Sequence, residues 1–414
     1  MINKSIIKEV VIEQNSLFRK DVNYLERNID KSFLKTKKVF VITGIRRCGK
    51  STLLKQISKN HEKFFYLNFE DERLLNFESD DFNYLLEVFM ELYGKCKTIF
   101  FDEIQNIYGW EKFVSRLFKD DYKVYITGSS ANLLSRELGT SLTGRHLKKE
   151  LYPFSFKEYL EYNGNNIYDL NITSDRSRLK RSFNNYLKFG GFPEVLESRD
   201  RRELSQLYQD VLVKDLLVRF KIRETKSFRE LALYLISNIG APISFNNLKK
   251  ILDLSSVSLV KNYIDHLEES YLIFSLFKYD YSLKKQIRND RKIYAIDPGM
   301  IKEVAFKFSK NSGRYLENLV YLELKRREKE IFYFKEKYEC DFIVREGIKI
   351  SQAIQVTDEL NHENKEREIN GLVNALRSFK LKEGFLLTSD SEEEIVVDGF
   401  KIKIIPVWKW LINN

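Results

Sequence analysis

Lys50, Ser51, Asp102 and Glu103 are the side chains whose types and spacing best suit chemistry. The first two close the stretch Gly44-Ile45-Arg46-Arg47-Cys48-Gly49-Lys50-Ser51-Thr52, a G-x-x-x-x-G-K-S pattern. A loop of this kind wraps a phosphate chain with backbone N–H groups. Its lysine reaches the β- and γ-phosphates, and its serine holds Mg²⁺. The helix that opens there adds the positive end of its dipole. Asp102 and Glu103 end a later apolar run, Thr98-Ile99-Phe100-Phe101. An aspartate in that place can hold the Mg²⁺ of a bound nucleotide, and a glutamate beside it can polarise the attacking water. The two segments together predict a Mg²⁺-dependent nucleotide hydrolase.

Two more residues are candidates at the same site. Ser129, followed by Ser130, ends the run Lys123-Val124-Tyr125-Ile126-Thr127-Gly128 and can sense the γ-phosphate or place the water. The serine pair also suits a helix N-cap before Ala131-Asn132-Leu133-Leu134. Arg145, in Leu142-Thr143-Gly144-Arg145-His146, is the candidate arginine finger, a cation that neutralises charge developing on the γ-phosphoryl group. An exposed loop arginine is the alternative. A finger aimed at a neighbour's nucleotide would make the chain a homo-oligomer.

The elements that must position these groups alternate. Residues 38–43, 64–69, 98–101 and 123–127 read as strands, and 52–57, 82–92 and 110–118 as helices. This alternation predicts an α/β fold with a parallel, doubly wound sheet, whose ligands sit at the carboxyl ends of the strands. The chain has 414 residues, 43% of them hydrophobic, enough for several domains. Its net charge of +10 favours a polyanionic partner, DNA first. Three scattered cysteines and four histidines exclude a disulfide framework and a His-rich metal site. With no long uncharged apolar run and no signal-peptide core, a cytoplasmic protein without membrane contact is expected.

Residues 179–187 and 204–220 read as helices of a lid. Beyond them, helices at 228–239 and 243–252, a helix at 257–269 with a Ser-rich start, and strands at 271–276 and 291–296 give the layout of a winged helix. Lys261 on the recognition helix, with Lys284, Lys285 and Arg288 on the wing, would contact DNA phosphates. An interdomain or protein-binding module is the alternative, because Asp265, Glu268 and Glu269 acidify that helix.

The order of motifs supports a resemblance. The P-loop, the Asp-Glu pair, Thr127-Gly128-Ser129-Ser130, Leu142-Thr143-Gly144-Arg145 and Leu151-Tyr152-Pro153-Phe154-Ser155-Phe156-Lys157-Glu158-Tyr159 follow one another, and Gly190-Gly191-Phe192-Pro193-Glu194-Val195 comes next. This order resembles archaeal and bacterial AAA-superfamily ATPases with a restriction-endonuclease-like C-terminal domain. The resemblance implies ATP and an AAA-type core. From residue 312 onward a mixed αβββαβ order resembles the PD-(D/E)xK nuclease fold. In that fold carboxylates hold Mg²⁺ and a lysine steadies the water. Glu317 and Asp341 match the pattern, but Gln355 stands for the second carboxylate and Thr357 for the lysine. Lys365 is the candidate replacement for that lysine. The expected domains are an AAA-type core at 1–160, a helical lid at 161–227, a winged helix at 228–305 and a degenerate nuclease-like domain at 312–414. The expected function is an ATP-driven switch or motor acting on DNA. The alternatives are an ATP-dependent nuclease of a defence or mobile-element system and a nucleotide-gated scaffold.

Overall fold

The structure, a computed structural model, describes residues 2–29, 31–131, 142–164, 168–306 and 312–412. It divides into two compact units, Met1–Tyr152 and Pro153–Asn414. The first unit holds β1 (Val39–Thr43), β2 (Phe65–Asn68), β3 (Thr98–Asp102), β4 (Lys123–Gly128) and β5 (His146–Glu150) in one parallel sheet, ordered β2-β3-β4-β1-β5. β1 is buried along its whole length, which is why it reads as an unbroken apolar run. The edge strand β5, with the sequence His-Leu-Lys-Lys-Glu, is only half-buried, so no apolar pattern announced it.

The helices of this unit are α1 (Lys4–Arg19), α2 (Lys31–Lys35), α3 (Lys50–Ser58), α4 (Phe82–Tyr93) and α5 (Trp110–Lys119). α1 covers the outer edge of the sheet. The Gln14 side chain accepts from Asn68 N at 2.7 Å and donates to Asn68 O at 3.1 Å, as a neighbouring strand would. Asn15 Nδ2 donates to Tyr66 O at 2.9 Å, and the Phe18 ring stacks on Tyr66. These bonds satisfy backbone groups that an edge strand otherwise leaves open.

The second unit opens with α6 (Phe156–Tyr162), α7 (Thr173–Phe189), α8 (Pro193–Ser198) and α9 (Arg202–Asp210), the last continued as a π-helical stretch, Val211–Val218. Then come α10 (Thr225–Ser237), β6 (Pro242–Ile243), α11 (Phe245–Ile251), α12 (Val257–Glu269), β7 (Ile273–Phe277), α13 (Leu283–Arg288) and β8 (Arg291–Ala295). The three strands pair antiparallel in the order β6-β8-β7. The basic stretch between β7 and β8 is a short helix with no buried residue, where the sequence suggested the wing of a β-hairpin.

After α14 (Pro298–Val304) and α15 (Ser312–Arg326) comes a six-stranded sheet. It holds β9 (Glu330–Lys335), β10 (Glu339–Glu346), β11 (Lys349–Val356), β12 (Glu383–Thr388), β13 (Glu393–Val397) and β14 (Phe400–Pro406), in the order β13-β14-β12-β11-β10-β9. Its β9-β10-β11 part is antiparallel and its β11-β12-β14 part parallel. α16 (Lys365–Phe379) packs Ile369, Leu372, Val373 and Leu376 on the sheet, and α17 (Val407–Ile412) ends the described chain. The two sheets of this unit are joined: Tyr279 N donates to Tyr333 O at 2.8 Å, and the Asn318 amide bonds both backbone groups of Ala295, at 2.8 and 2.9 Å.

The Pro153-Phe154-Ser155-Phe156 and Gly190-Gly191-Phe192-Pro193 segments are structural joints. Ser155 caps α6 by the reciprocal Ser-Glu box, Glu158 N to Ser155 Oγ at 3.2 Å and Ser155 N to Glu158 Oε2 at 2.8 Å. Phe154 N donates to Gly191 O at 2.8 Å, and Gly191 N donates to Asp297 Oδ2 at 2.7 Å. A Cβ on Gly191 would stand 2.2 Å from Phe154 O, so the approach of the two segments requires glycine.

Candidate nucleotide site and a buried carboxylate cluster

The nucleotide-site residues converge at the carboxyl ends of β1, β3 and β4. Gly49 opens α3 at φ +99°, a conformation that side-chain-bearing residues rarely adopt. Lys50 is buried, with Nζ 3.1 Å from Glu103 Oε1 and a hydrogen bond to Ile45 O at 3.3 Å. Burial opposes the Lys50 charge, yet the Glu103 carboxylate raises its pKa. Burial likewise pushes Glu103 up, but the Lys50 ammonium holds its carboxyl below the usual range. Asp102 is fully buried. Burial raises its pKa, the Glu103 charge adds to this, and hydrogen bonds from Ser51 and Thr127 work against it.

Ser51 and Asp102 therefore lie side by side as an oxygen-only pair, which fits Mg²⁺. A divalent ion there would bring the Asp102 pKa back down. Glu103 takes φ 50°, a left-handed conformation costly for a non-glycine residue. Its N–H donates to Thr127 Oγ1 at 2.9 Å, and that hydroxyl donates in turn to Asp102 Oδ1. Tyr66 OH donates to Asp102 Oδ2 at 3.2 Å. Thr127 and Tyr66 are the residues that sequence reasoning missed. Thr127 was visible in the Thr-Gly-Ser-Ser stretch, but its partners come from a different strand.

Ser129 is buried, with Oγ 3.4 Å from Gln105 Nε2, and Gln105 also donates to Glu103. Ser129 is thus tied to Glu103 through one amide. The helix suggested at 131–134 falls mainly on residues outside the described ones. In the loop, Arg46 pairs with Glu70, and Ile45 and Cys48 are buried beneath it. Arg47 is exposed at φ 62°, while Ser51 and Thr52 begin α3 on its exposed side. Arg145 is not brought to the site. Its carbonyl accepts from Val39 N at 3.0 Å, at the opposite end of β1 from the P-loop, and its guanidinium lies over the Phe118 ring. Five strand residues separate the two ends, about 15 Å, so Arg145 does not serve the P-loop of its own chain.

Lys261, Lys284, Lys285 and Arg288 are all exposed. Lys261 lies over the Phe245 ring near the start of α12, whose N-cap Ser256 accepts from Leu259 N at 3.1 Å. Of the carboxylates that acidify this helix, Glu268 is turned inward. Its Oε1 accepts from Ser275 N at 2.6 Å, and burial raises its pKa.

A second constellation lies within the second unit. Glu317 of α15 and Asp341 of β10 meet, as the nuclease-like pattern required, but they meet around Lys292 of β8. Lys292 Nζ is 2.9 Å from Glu317 Oε1, from Glu339 Oε1 and from Asp341 Oδ1. Tyr294 OH donates to Glu317 Oε1 at 2.7 Å. Gln355 and Thr357 are buried on β11 and just past its end, where the pattern places them. Lys365, the expected replacement lysine, is exposed at the start of α16, and the lysine at the carboxylates is Lys292. Glu339 could have been found, since it is two residues from Asp341 and shares its strand face. Lys292 had no local signal, because it belongs to another sheet.

A family model described as an AAA domain matches residues 36–160, and one described as a domain of unknown function, DUF8612, matches residues 180–311. An uncharacterized protein of Methanocaldococcus jannaschii, MJ1544, is 39% identical over all of this chain and 97% of its own length. An uncharacterized protein of Haemophilus influenzae is 31% identical over 94% of this chain and 98% of its own. Among solved structures, the Walker-type ATPase PABY2304 of Pyrococcus abyssi is 16% identical, covering 73% of this chain and 96% of that one, with a TM-score of 0.39.

Proposed function

We propose that this chain, which belongs to the same family as MJ1544 and its Haemophilus influenzae relative and carries an AAA domain, is an ATP-driven switch or motor that acts on DNA. The observation that carries the ATPase part is the meeting of Lys50 and Ser51 with Asp102 and Glu103 at one end of a parallel sheet. Lys50 suits the phosphates, Ser51 and Asp102 suit Mg²⁺, and Glu103 suits the water. Bound Mg²⁺ would neutralise phosphate charge. Thr127 and Gln105 hydrogen-bond the two carboxylates and orient them. Helices α7 and α9 are the proposed lid. Purified protein should release phosphate from ATP with Mg²⁺ and not without it.

The DNA part rests on the order α10, β6, α11, α12, β7, α13, β8, which resembles that of a winged helix with the short helix α13 at the wing, and on its exposed cations. Replacing Lys284, Lys285 and Arg288 by Ala should weaken DNA binding at all sequences. It should also flatten the plot of log affinity against log salt by about 3, near one unit per phosphate contact. An unchanged slope in the triple variant would move the function to a nucleotide-gated scaffold.

Arg145 fits this reading only in trans. We therefore propose an ATP-promoted homo-oligomer in which it faces a neighbour's γ-phosphate. Arg145→Ala should cut hydrolysis by on the order of 10³ with ATP binding intact, and mixing it with Lys50→Ala protein should restore part of the activity. Full activity from a particle that stays monomeric at all concentrations would remove Arg145 from the mechanism.

A further inference from the structure

The nuclease-like pattern implies a divalent metal held by carboxylates, and the residues present do not fit one. Lys292 is 1% exposed, and its ammonium commits all three N–H bonds to three carboxylates at 2.9 Å each. A Mg²⁺ ion needs the same oxygens at about 2.0–2.1 Å and cannot share the space. The fourth position is Gln355, and it is engaged elsewhere. Its Oε1 accepts from Asp341 N at 3.2 Å and its Nε2 donates to Glu368 Oε2 at 2.6 Å. Two of the three spare oxygens are also taken: Asp341 Oδ2 accepts from Val356 N at 3.0 Å, and Glu339 Oε2 pairs with Lys335 at 3.0 Å.

We propose that the Lys292 ammonium is the resident cation of this cluster, in the position that the nuclease pattern gives to a metal ion, and that the C-terminal sheet is accordingly metal-free and does not cut phosphodiesters. The lysine is not placed to withdraw. β8 is paired on both sides, by β6 and β7, and Asn318 clamps its end at Ala295. Tyr333 OH also holds Asp290 O, just before the strand, at 2.6 Å. Exclusion of metal is by occupation and not by closure. A cleft of about 530 Å³, lined by Arg314, Lys337 and Arg367 among others, reaches the same carboxylates. Burial, and then the Asp341 charge, raises the Glu317 pKa. This inference rests on the geometry of the second unit and stands or falls without reference to ATP.

The test uses the full chain without nucleotide, in a Ser51→Ala background so that the P-loop adds no metal site. Mn²⁺ binding is followed by electron paramagnetic resonance and by the melting temperature. The parent should bind no Mn²⁺ at this cluster at millimolar ion and should leave supercoiled plasmid intact with Mg²⁺ or Mn²⁺. Lys292→Ala should melt lower and recover several degrees with Mn²⁺, and adding Asp341→Asn should remove that recovery. If the parent binds Mn²⁺ and loses it with Asp341→Asn, or if plasmid is cut and Asp341→Asn stops the cutting, the ammonium is a displaceable guest and the proposal is wrong. Failure of Mn²⁺ to raise the melting temperature of Lys292→Ala would equally overturn the equivalence of lysine and metal.

Discussion

Glu103→Gln should stop ATP turnover while ATP binding survives. The expected loss in kcat is about 10²–10⁴-fold, the share of a positioned general base. The geometry adds a sharper expectation for affinity. Lys50 pairs with Glu103 at 3.1 Å, so a triphosphate must draw the ammonium away from that carboxylate. With an uncharged amide in its place the competition weakens, and the variant should hold ATP at least as tightly as the parent. Lys50→Ala should behave in the opposite way. It removes a charge-assisted bond worth about 1.5–3 kcal/mol, and nucleotide affinity should fall by roughly 10–100-fold. Equilibrium binding of a fluorescent ATP analogue and single-turnover hydrolysis separate the two variants. Wild-type turnover in Glu103→Gln would take the water-activating role from this residue.

Lys292→Met should unfold the second unit at much lower denaturant. Removing one partner from a buried ionic cluster costs about 3–5 kcal/mol, because the remaining charges have no water to turn to. Here three carboxylates lose the same cation. The penalty should depend on pH in a defined direction. Without the ammonium, the Glu317 carboxyl, whose pKa burial already raises, rises further, and Glu339 loses the cation that holds it low. A carboxyl raised in this way contributes its full stability below the unfolded pKa and loses it as pH rises through the folded value. The variant should therefore approach the parent near pH 4 and diverge from it toward neutrality. Urea unfolding at a series of pH values reads this directly. A difference under about 0.5 kcal/mol at pH 7 would show that the cluster is not under charge stress.

The candidate nucleotide site was legible in the sequence because its parts are local. A strand, a glycine loop and a helix start lie next to one another in the chain, and an apolar strand points to Asp102-Glu103. Most helices and strands came through for the same reason, by apolar periodicity. Of what did not come through, α1 (Lys4–Arg19) carries an apolar face that went unread, and the rest had either no apolar pattern or a distant partner. β5 and β13 are polar, half-exposed edges. Thr127 acts on Asp102 and Glu103 from a neighbouring strand. Lys292 enters the carboxylate cluster from a three-stranded sheet that spacing alone could not bring there. Arg145 shows the converse: its place in the motif order looked catalytic, while the register of β5 on β1 carries it to the far edge of the sheet.

The Gln14 side chain that pairs with Asn68 has a bearing on how the protein behaves as a material. β2 is the outermost strand of a parallel sheet rich in Phe, Tyr and Leu. An uncovered strand of that kind recruits other chains edge to edge and seeds insoluble assemblies. The first helix is thus a solubility guard as much as a part of the core. Removal of α1 would strip Ile7, Val10 and Val11 from the core and turn the sheet's rim into an adhesive surface.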